Sequence, residues 1–283
     1  MTKKTPTPQD LQIPVRNLHF HRDGEPPPRW WMGGDPVATA FFNALSCTFP
    51  AGEKFFIESV RNFRNDVSPA LQEQIAAFIA QESVHSREHM AFNKRAIDAG
   101  YQIEAMENRT KRNLDFARTR SRHRQLAATC ALEHFTAILA HQLLKGDSRD
   151  LEGAPEDSVR LWSWHAMEEI EHKAVAFDTF VAVTRQMTGL RRYLMRTMVM
   201  VLSTSMLTTT MFLNMRSFYR QDGLKGWRLW WRTFRYLFGK PGILRRILPD
   251  YLRYFKPGFH PWQHDDRELL EKTVTRYNLS VPV

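Results

Sequence analysis

Two short segments of this sequence, 82–85 (Glu-Ser-Val-His) and 169–172 (Glu-Ile-Glu-His), repeat the pattern Glu-x-x-His inside long runs with helical hydrophobic spacing. At 3.6 residues per turn, positions i and i+3 share a face, so each segment presents a carboxylate beside an imidazole. The second sits in "LWSWHAMEEIEHKAVAFD", a stretch otherwise rich in Trp, Ala and Val. Ionisable groups on an apolar face cost roughly several kcal/mol unless they are paired, hydrogen-bonded or metal-bound. The fold must therefore bring these helices together around a shared polar interior.

The remainder also reads as helix. Asp35-Pro36 and Ser68-Pro69 have the form of an N-cap followed by proline at the first helical position. Gly100 and Gly146 stand where helices would end. Four long helices are expected between about 36 and 187, the first interrupted at Pro50 and the third running from about 113 to 146. The fourth is expected to run from about 159 to 187. No segment alternates clearly enough to be a strand. Hydrophobic content of 43% and charged content of 25% are those of a folded chain. The expected division is an irregular arm over 1–34, a four-helix bundle over 35–187, a basic aromatic helical region over 188–258 and a tail over 259–283. Cys47 and Cys130 read as packed, reduced thiols, and the N-terminus lacks the apolar run of a secretory signal. Both features point to the cytoplasm.

The first and third expected helices supply glutamates without a histidine, Glu53 and Glu133. A Glu from each of two helices plus Glu-x-x-His from each of two others is the ligand set of ferritin-like dimetal bundles. Antiparallel helices place residues equidistant from a turn at the same level. The point halfway between Glu53 and Glu82 falls in "NDVSPA", and that between Glu133 and Glu169 falls in "DSRDLEGAPEDS", both turn-like. Glu58 is the rival to Glu53, but its face carries Arg61, Asn62 and Asn65, whereas Glu53 shares a face with Phe56, Ile57 and Val60. His165 lies at i−4 from Glu169 and i−7 from His172, on the same stripe. The expected metal ligands are thus Glu53, Glu82, His85, Glu133, His165, Glu169 and His172. His89, at i+7 from Glu82, is a further candidate. His134, Glu168 and Glu171 point off this stripe and read as supporting groups, and Glu58, Glu73 and Glu88 as solvated ones.

The segments "FPAGEKFF", "QESVHSREH", "LEHFTA" and "WHAMEEIEHKAVAFD" resemble a bacterial family catalogued as predicted metal-dependent hydrolases, over most of the chain. That resemblance implies metal binding more directly than it implies hydrolysis. The order Glu, Glu-x-x-His, Glu, His-x-x-x-Glu-x-x-His also resembles the site of diiron arylamine N-oxygenases, in which an extra histidine is matched here by His165. The rest of the sequence is not close to those enzymes.

Carboxylate-rich sites with an imidazole on each metal suit iron or manganese, with zinc as the less favoured ion. The leading expectation is a pair of iron ions and O2-dependent oxidation of a small or apolar organic substrate. The alternatives are hydrolysis by a metal-activated water and metal binding without catalysis.

The net charge of +10 is unevenly placed. From Arg185 to Lys256 there are 15 Lys/Arg against two acids, Asp222 and Asp250, a local balance of +13 that leaves −3 for the remainder. Residues 197–214 carry no charge, though Thr and Ser dilute their apolarity. The following segment, "GWRLWWRTFRYLFGKPGILRRILPDYLRYF", interleaves cations with aromatic rings, a pattern suited to an interfacial helix on an anionic membrane surface. A lipid-like substrate then becomes reasonable. Nucleic acid is disfavoured as the partner, because an uncharged run has no use in a nucleic-acid groove.

Overall fold

In the computed structural model, which describes residues 7, 8, 10–20, 27–146 and 150–279, the chain is all-helical, with no strand among the described residues. Parts of the N-terminal arm, the 147–158 loop and the C-terminal tail expected from the sequence lie outside those residues. The helices in order are α1 (Pro36–Ser46), α2 (Phe49–Arg61), α3 (Pro69–Asp98), α4 (Glu104–Arg118), α5 (Arg122–Lys145) and α6 (Glu156–His172). They continue with α7 (Val175–Val183), α8 (Gly189–Gln221), α9 (Trp227–Phe238), α10 (Ile243–Arg253) and α11 (Arg267–Tyr277).

The caps explain where several of these begin and stop. Asp35 accepts from the backbone N–H groups of Val37 (2.7 Å) and Ala38 (3.3 Å), with Pro36 behind it. Ser68 has the extended backbone of an N-cap, but its hydroxyl makes no capping bond. Gly100 takes φ +88°, letting the Tyr101 N–H return to the Ala96 carbonyl at 3.0 Å, and Gly146 ends α5 in the left-handed region.

Three expected helices are divided. The first breaks at Cys47–Thr48 rather than at Pro50, because proline is tolerated in the first turn of α2. The third splits into α4 and α5 at Thr119–Ser121. There the Thr119 hydroxyl donates to the Phe116 carbonyl, and the Gln125 amide donates to the carbonyls of Arg118 and Arg120, taking acceptors that a continuous helix would use. The fourth splits into α6 and α7 directly after His172. Lys173 turns inward, donating to Asp266 Oδ2 (2.5 Å) and the His264 carbonyl (2.8 Å) while lying over the Trp262 ring. A tertiary contact here overrides local helix preference.

Helix α2 packs on α3 and α5, and α6 packs on α5 and α3, so these four close around a common interior. Helix α1, buried along its whole length, lies against α3, α8 and α9. Two large apolar clusters flank the interior. One is centred on Phe42, Leu161 and Trp164, the other on Phe55, Ile75, Phe78 and Phe180. Phe49 of the first touches the His165 ring (4.7 Å) and Phe78 of the second touches His172 (4.9 Å), which puts the polar groups at their junction. Both cysteines are free and buried.

Helix α8 is, among the described residues, the one helix long and apolar enough to cross a membrane by length and composition. It packs on α1, α4 and α5, and polar pairs tie it to α4: Asn113 donates to Thr210 at 2.8 Å, and Arg109 donates to Asn214.

Candidate metal centre

Glu53 comes from α2, Glu82 and His85 from α3, Glu133 from α5, and His165, Glu169 and His172 from α6; all seven side chains are buried and converge. Glu82, Glu133 and His172 form one knot, with His172 Nε2 at 3.2 Å from Glu82 and 3.3 Å from Glu133. Glu53, His85 and His165 form a second. Glu169 lies between them, its Oε1 at 2.9 Å from His165 Nε2 and 3.7 Å from both His85 Nδ1 and His172 Nε2. The Thr136 hydroxyl, one turn beyond Glu133, donates to the other oxygen of Glu169.

The orientation of each imidazole is fixed from outside. His172 Nδ1 donates to Gln81 Oε1 (2.9 Å), which can only accept. Its Nε2 therefore faces Glu82 and Glu133. His85 Nε2 donates to Glu168 Oε2 (3.0 Å), leaving its Nδ1 lone pair toward Glu82 and Glu169. Behind His165, the Ser46 hydroxyl gives its hydrogen to Asn93 Oδ1 (2.7 Å) and so accepts from His89 Nδ1 (2.9 Å). His89 Nε2 then accepts from His165 Nδ1 (2.6 Å), and His165 Nε2 faces Glu53 and meets Glu169 Oε1 at hydrogen-bond distance (2.9 Å). Each imidazole thus turns its inner nitrogen toward the four carboxylates. At His172 burial favours the neutral ring, but Glu133, Glu169 and Glu82 outweigh it and hold the group well above the usual histidine range. Both oxygens of Glu53, Glu82 and Glu133, with His85 Nδ1 and His172 Nε2, are buried without a hydrogen-bond partner. Burial and the neighbouring carboxylates push Glu53 and Glu133 well above the usual carboxylate range, and burial, reinforced by His165, holds His85 well below that of histidine.

Imidazole nitrogens and carboxylates converging this closely, with Glu53, Glu82 and Glu133 left without hydrogen-bond partners, form an arrangement that cations would satisfy. Two divalent ions would carry the charge needed to neutralise four carboxylates, and the outward bond on each imidazole is the usual support for a metal-bound histidine.

The supporting groups depart from the sequence reading in several places. His89 does not reach the centre; it orients His165. Glu88, expected to be solvated, is fully buried, accepting from the Phe20 N–H (2.8 Å) and from Arg87 (2.7 Å). Glu58 is half-buried and pairs with Arg118 at 2.9 Å, and Glu73 is exposed. His134 packs on Tyr254 and Phe259, and its Nε2 meets the Asp250 carbonyl, away from the centre. Glu168 and Glu171 are buried and share Arg16, which lies 3.1 Å from Glu168 and grips Glu171 with two bonds of 2.8 and 2.9 Å. Burial raises Glu168 to about 7, against the opposing pull of Arg16. Gln81 donates to Glu171 (2.9 Å), which joins the His172 support to the His85 support through one guanidinium. Spacing could have flagged Gln81, one turn before His85, and Thr136, one turn after Glu133. Arg16, in an irregular arm, carried no such signal.

A cavity lined by Phe41, Phe49, Leu139, Trp162 and Ile243 ends at His165 and Glu169. It opens a largely apolar approach to one side of the cluster.

These features define an all-helical protein with a buried cluster of four carboxylates and three imidazoles suited to two metal ions. The chain belongs to the family described as predicted metal-dependent hydrolase, whose model matches residues 14–265. No curated protein and no solved structure matches it. The family agrees with the resemblance read from the sequence, and its description favours the hydrolytic alternative over the O2-dependent oxidation first expected; the comparisons lend oxidation no support.

Proposed function

We propose that the chain is a dinuclear metal-dependent hydrolase acting on an apolar substrate, with Glu53, Glu82, His85, Glu133, His165, Glu169 and His172 as the ligands. One observation carries the reading: three imidazoles, each held by an outward hydrogen bond, turn their inner nitrogens toward four buried carboxylates, of which Glu53, Glu82 and Glu133 have no hydrogen-bond partner. When bound, a pair of divalent cations supplies a water of lowered pKa and polarises a carbonyl or phosphoryl oxygen. The chain's own groups do the rest. The carboxylates balance charge, and the Arg16–Glu168–Glu171–Gln81 network keeps His85 and His172 in the receptive tautomer. Thr136 holds one oxygen of Glu169, and the phenylalanines of the cavity exclude bulk water from the substrate side.

A second reading, oxidation of an apolar substrate by O2 at a pair of iron ions, is favoured by one specific feature. Among the described residues, the cavity lining offers no acid outside the proposed ligands to protonate a leaving group: its ionisable groups are His165 and Glu169. The deciding experiment measures metal content and then turnover of a panel of acyl esters in air and under nitrogen. Ester cleavage that survives anaerobic conditions and is lost on chelation supports hydrolysis. Substrate-dependent O2 consumption with a stoichiometric iron pair, and no ester cleavage, replaces it with the oxidative reading.

A further inference from the structure

The basic half of the chain contains a surface that the metal centre does not explain. On α9, Trp227, Trp231, Phe234 and Phe238 fall at i, i+4, i+7 and i+11, a single stripe, and are between 47% and 73% exposed. The opposite face of the same helix is well seated. Tyr236 meets Phe41 at 5.7 Å, Thr233 bonds to Tyr219 at 2.9 Å, and Trp230 stacks on Phe212 at 4.7 Å. The rings therefore do not face outward for lack of a packed side to the helix. On α10, Ile243 and Ile247 face inward while Leu248 and Leu252 are exposed. Arg228, Arg235, Lys240 and Arg245 are exposed beside these rings and leucines, and none of the four has an acidic partner among the described residues.

Exposed aromatic rings flanked by unpaired cations complement one kind of partner, a surface with an apolar interior and an anionic rim. A nucleic acid would satisfy the cations but leave Leu248 and Leu252 in water. The position of the surface adds a second argument. Ile243, the first residue of α10, lines the cavity that ends at His165 and Glu169, and Phe41, which carries Tyr236 of α9, lines it as well. Helix α10 thus lines the approach to the buried cluster through Ile243, and α9 packs against Phe41, which lines it as well.

We propose that the exposed face of α9 and α10 docks on an anionic lipid bilayer, and that a lipid-derived acyl substrate passes from that face into the cavity. The substrate half rests on the function proposed above; the docking half does not.

The test uses the full chain and vesicles of phosphatidylglycerol or phosphatidylcholine. Sedimentation with phosphatidylglycerol vesicles is expected at low salt, weakening as salt rises, with little association with phosphatidylcholine. Arg228→Gln and Arg235→Gln should each weaken association about fivefold. Trp231→Ser with Phe234→Ser should abolish it while leaving metal content unchanged. Equal binding to both lipids, or no binding by the parent protein, overturns the docking surface. So does a stripe variant that turns a dimer into a monomer without any vesicle effect, which would make a second copy the occupant. Calorimetry with lauric acid tests the substrate half without requiring turnover. Absence of binding overturns it, whereas binding without ester cleavage leaves it standing and removes the hydrolytic reading instead.

Discussion

The interior of the α2–α3–α5–α6 group and the outer face of α9–α10 are both electrically unbalanced, with opposite signs and in opposite surroundings. Inside, four carboxylates meet with no lysine or arginine among them; outside, four cations stand without acids among the described residues. In water the second imbalance costs little, because each guanidinium or ammonium keeps its hydration. In the interior the first is expensive, since buried like charges repel and lose solvent together. Unpaired charge on a surface is compatible with stability whether or not a partner ever arrives. Unpaired charge in a core, held there by a dedicated support of hydrogen bonds, requires a compensating ion. The difference sets how strongly each region should respond to change.

The largest response belongs to the ligands themselves. His172→Ala or Glu169→Ala should abolish stoichiometric metal loading, read by elemental analysis of the purified protein. In the parent protein, a chelator should lower the melting temperature, because an ion that binds only the folded chain stabilises it in proportion to its occupancy.

Next comes the guanidinium that ties the two halves of the support together. Arg16→Ala leaves Glu168 and Glu171 buried without their cation and should cost about 3–5 kcal/mol in chemical denaturation. A loss below about 1 kcal/mol, the range of an exposed ion pair, would erase the distinction between the two regions.

A smaller effect should follow from the group that only orients. His89→Phe removes the acceptor of His165 Nδ1 without removing a ligand, and about a 10–100-fold loss of metal affinity is expected. Titration with metal should still reach full stoichiometry. If the endpoint falls instead, His89 belongs to the ligand set.

How much of this was legible beforehand follows the same division. Glu82, His85, Glu169 and His172 announce themselves because one helical turn fixes i, i+3 geometry before any tertiary structure exists. Glu53 was separable from Glu58 by the company on its helix face, apolar for Glu53 and polar for Glu58, and Glu133 by its level across the turn from Glu169. The all-helical class followed from periodicity, but continuity did not. The break after His172 depends on Lys173 reaching Asp266, 93 residues away, and no local pattern encodes it. Glu88 was misread for a related reason. Its i±4 neighbours gave no hint that Phe20, 68 residues earlier, would bring a backbone N–H onto it. Arg16 is the extreme case, an isolated cation in a stretch without periodicity whose role exists only after α3 and α6 have met.

Asp266 offers a milder case of buried charge that does have partners. Burial works to raise it, but the bond from His141 and the Lys173 ammonium outweigh that and hold it at about 2, below the usual 3.8. A folded-state pKa below the unfolded one means that the group stabilises the fold above pH 4. The contribution disappears as pH falls from about 4 to about 2. Asp266→Asn should remove about 2 kcal/mol at neutral pH, with the gap to the parent closing across that acid window. A gap that is the same at pH 2 and pH 7 would mean that shape, not charge, is what Asp266 contributes.

The finest discrimination sets one substitution against itself on two faces of α2. Glu58 is half-buried at the rim of α2 and paired with Arg118, so Glu58→Gln should change stability by no more than about 1 kcal/mol and leave metal loading as it was. Glu53→Gln, five residues earlier, removes a carboxyl whose ionisation is opposed by burial and by Glu82, Glu169 and Glu133. In the presence of chelator it should raise the melting temperature, since repulsion is relieved and the amide supplies donors to acceptors that had none. With metal present, the same change should lower affinity. A rise on one side and a fall on the other is the signature of a charge kept for an ion rather than for the fold. Identical, near-zero effects at both positions would place Glu53 with the solvated surface and dissolve the contrast between core and exterior.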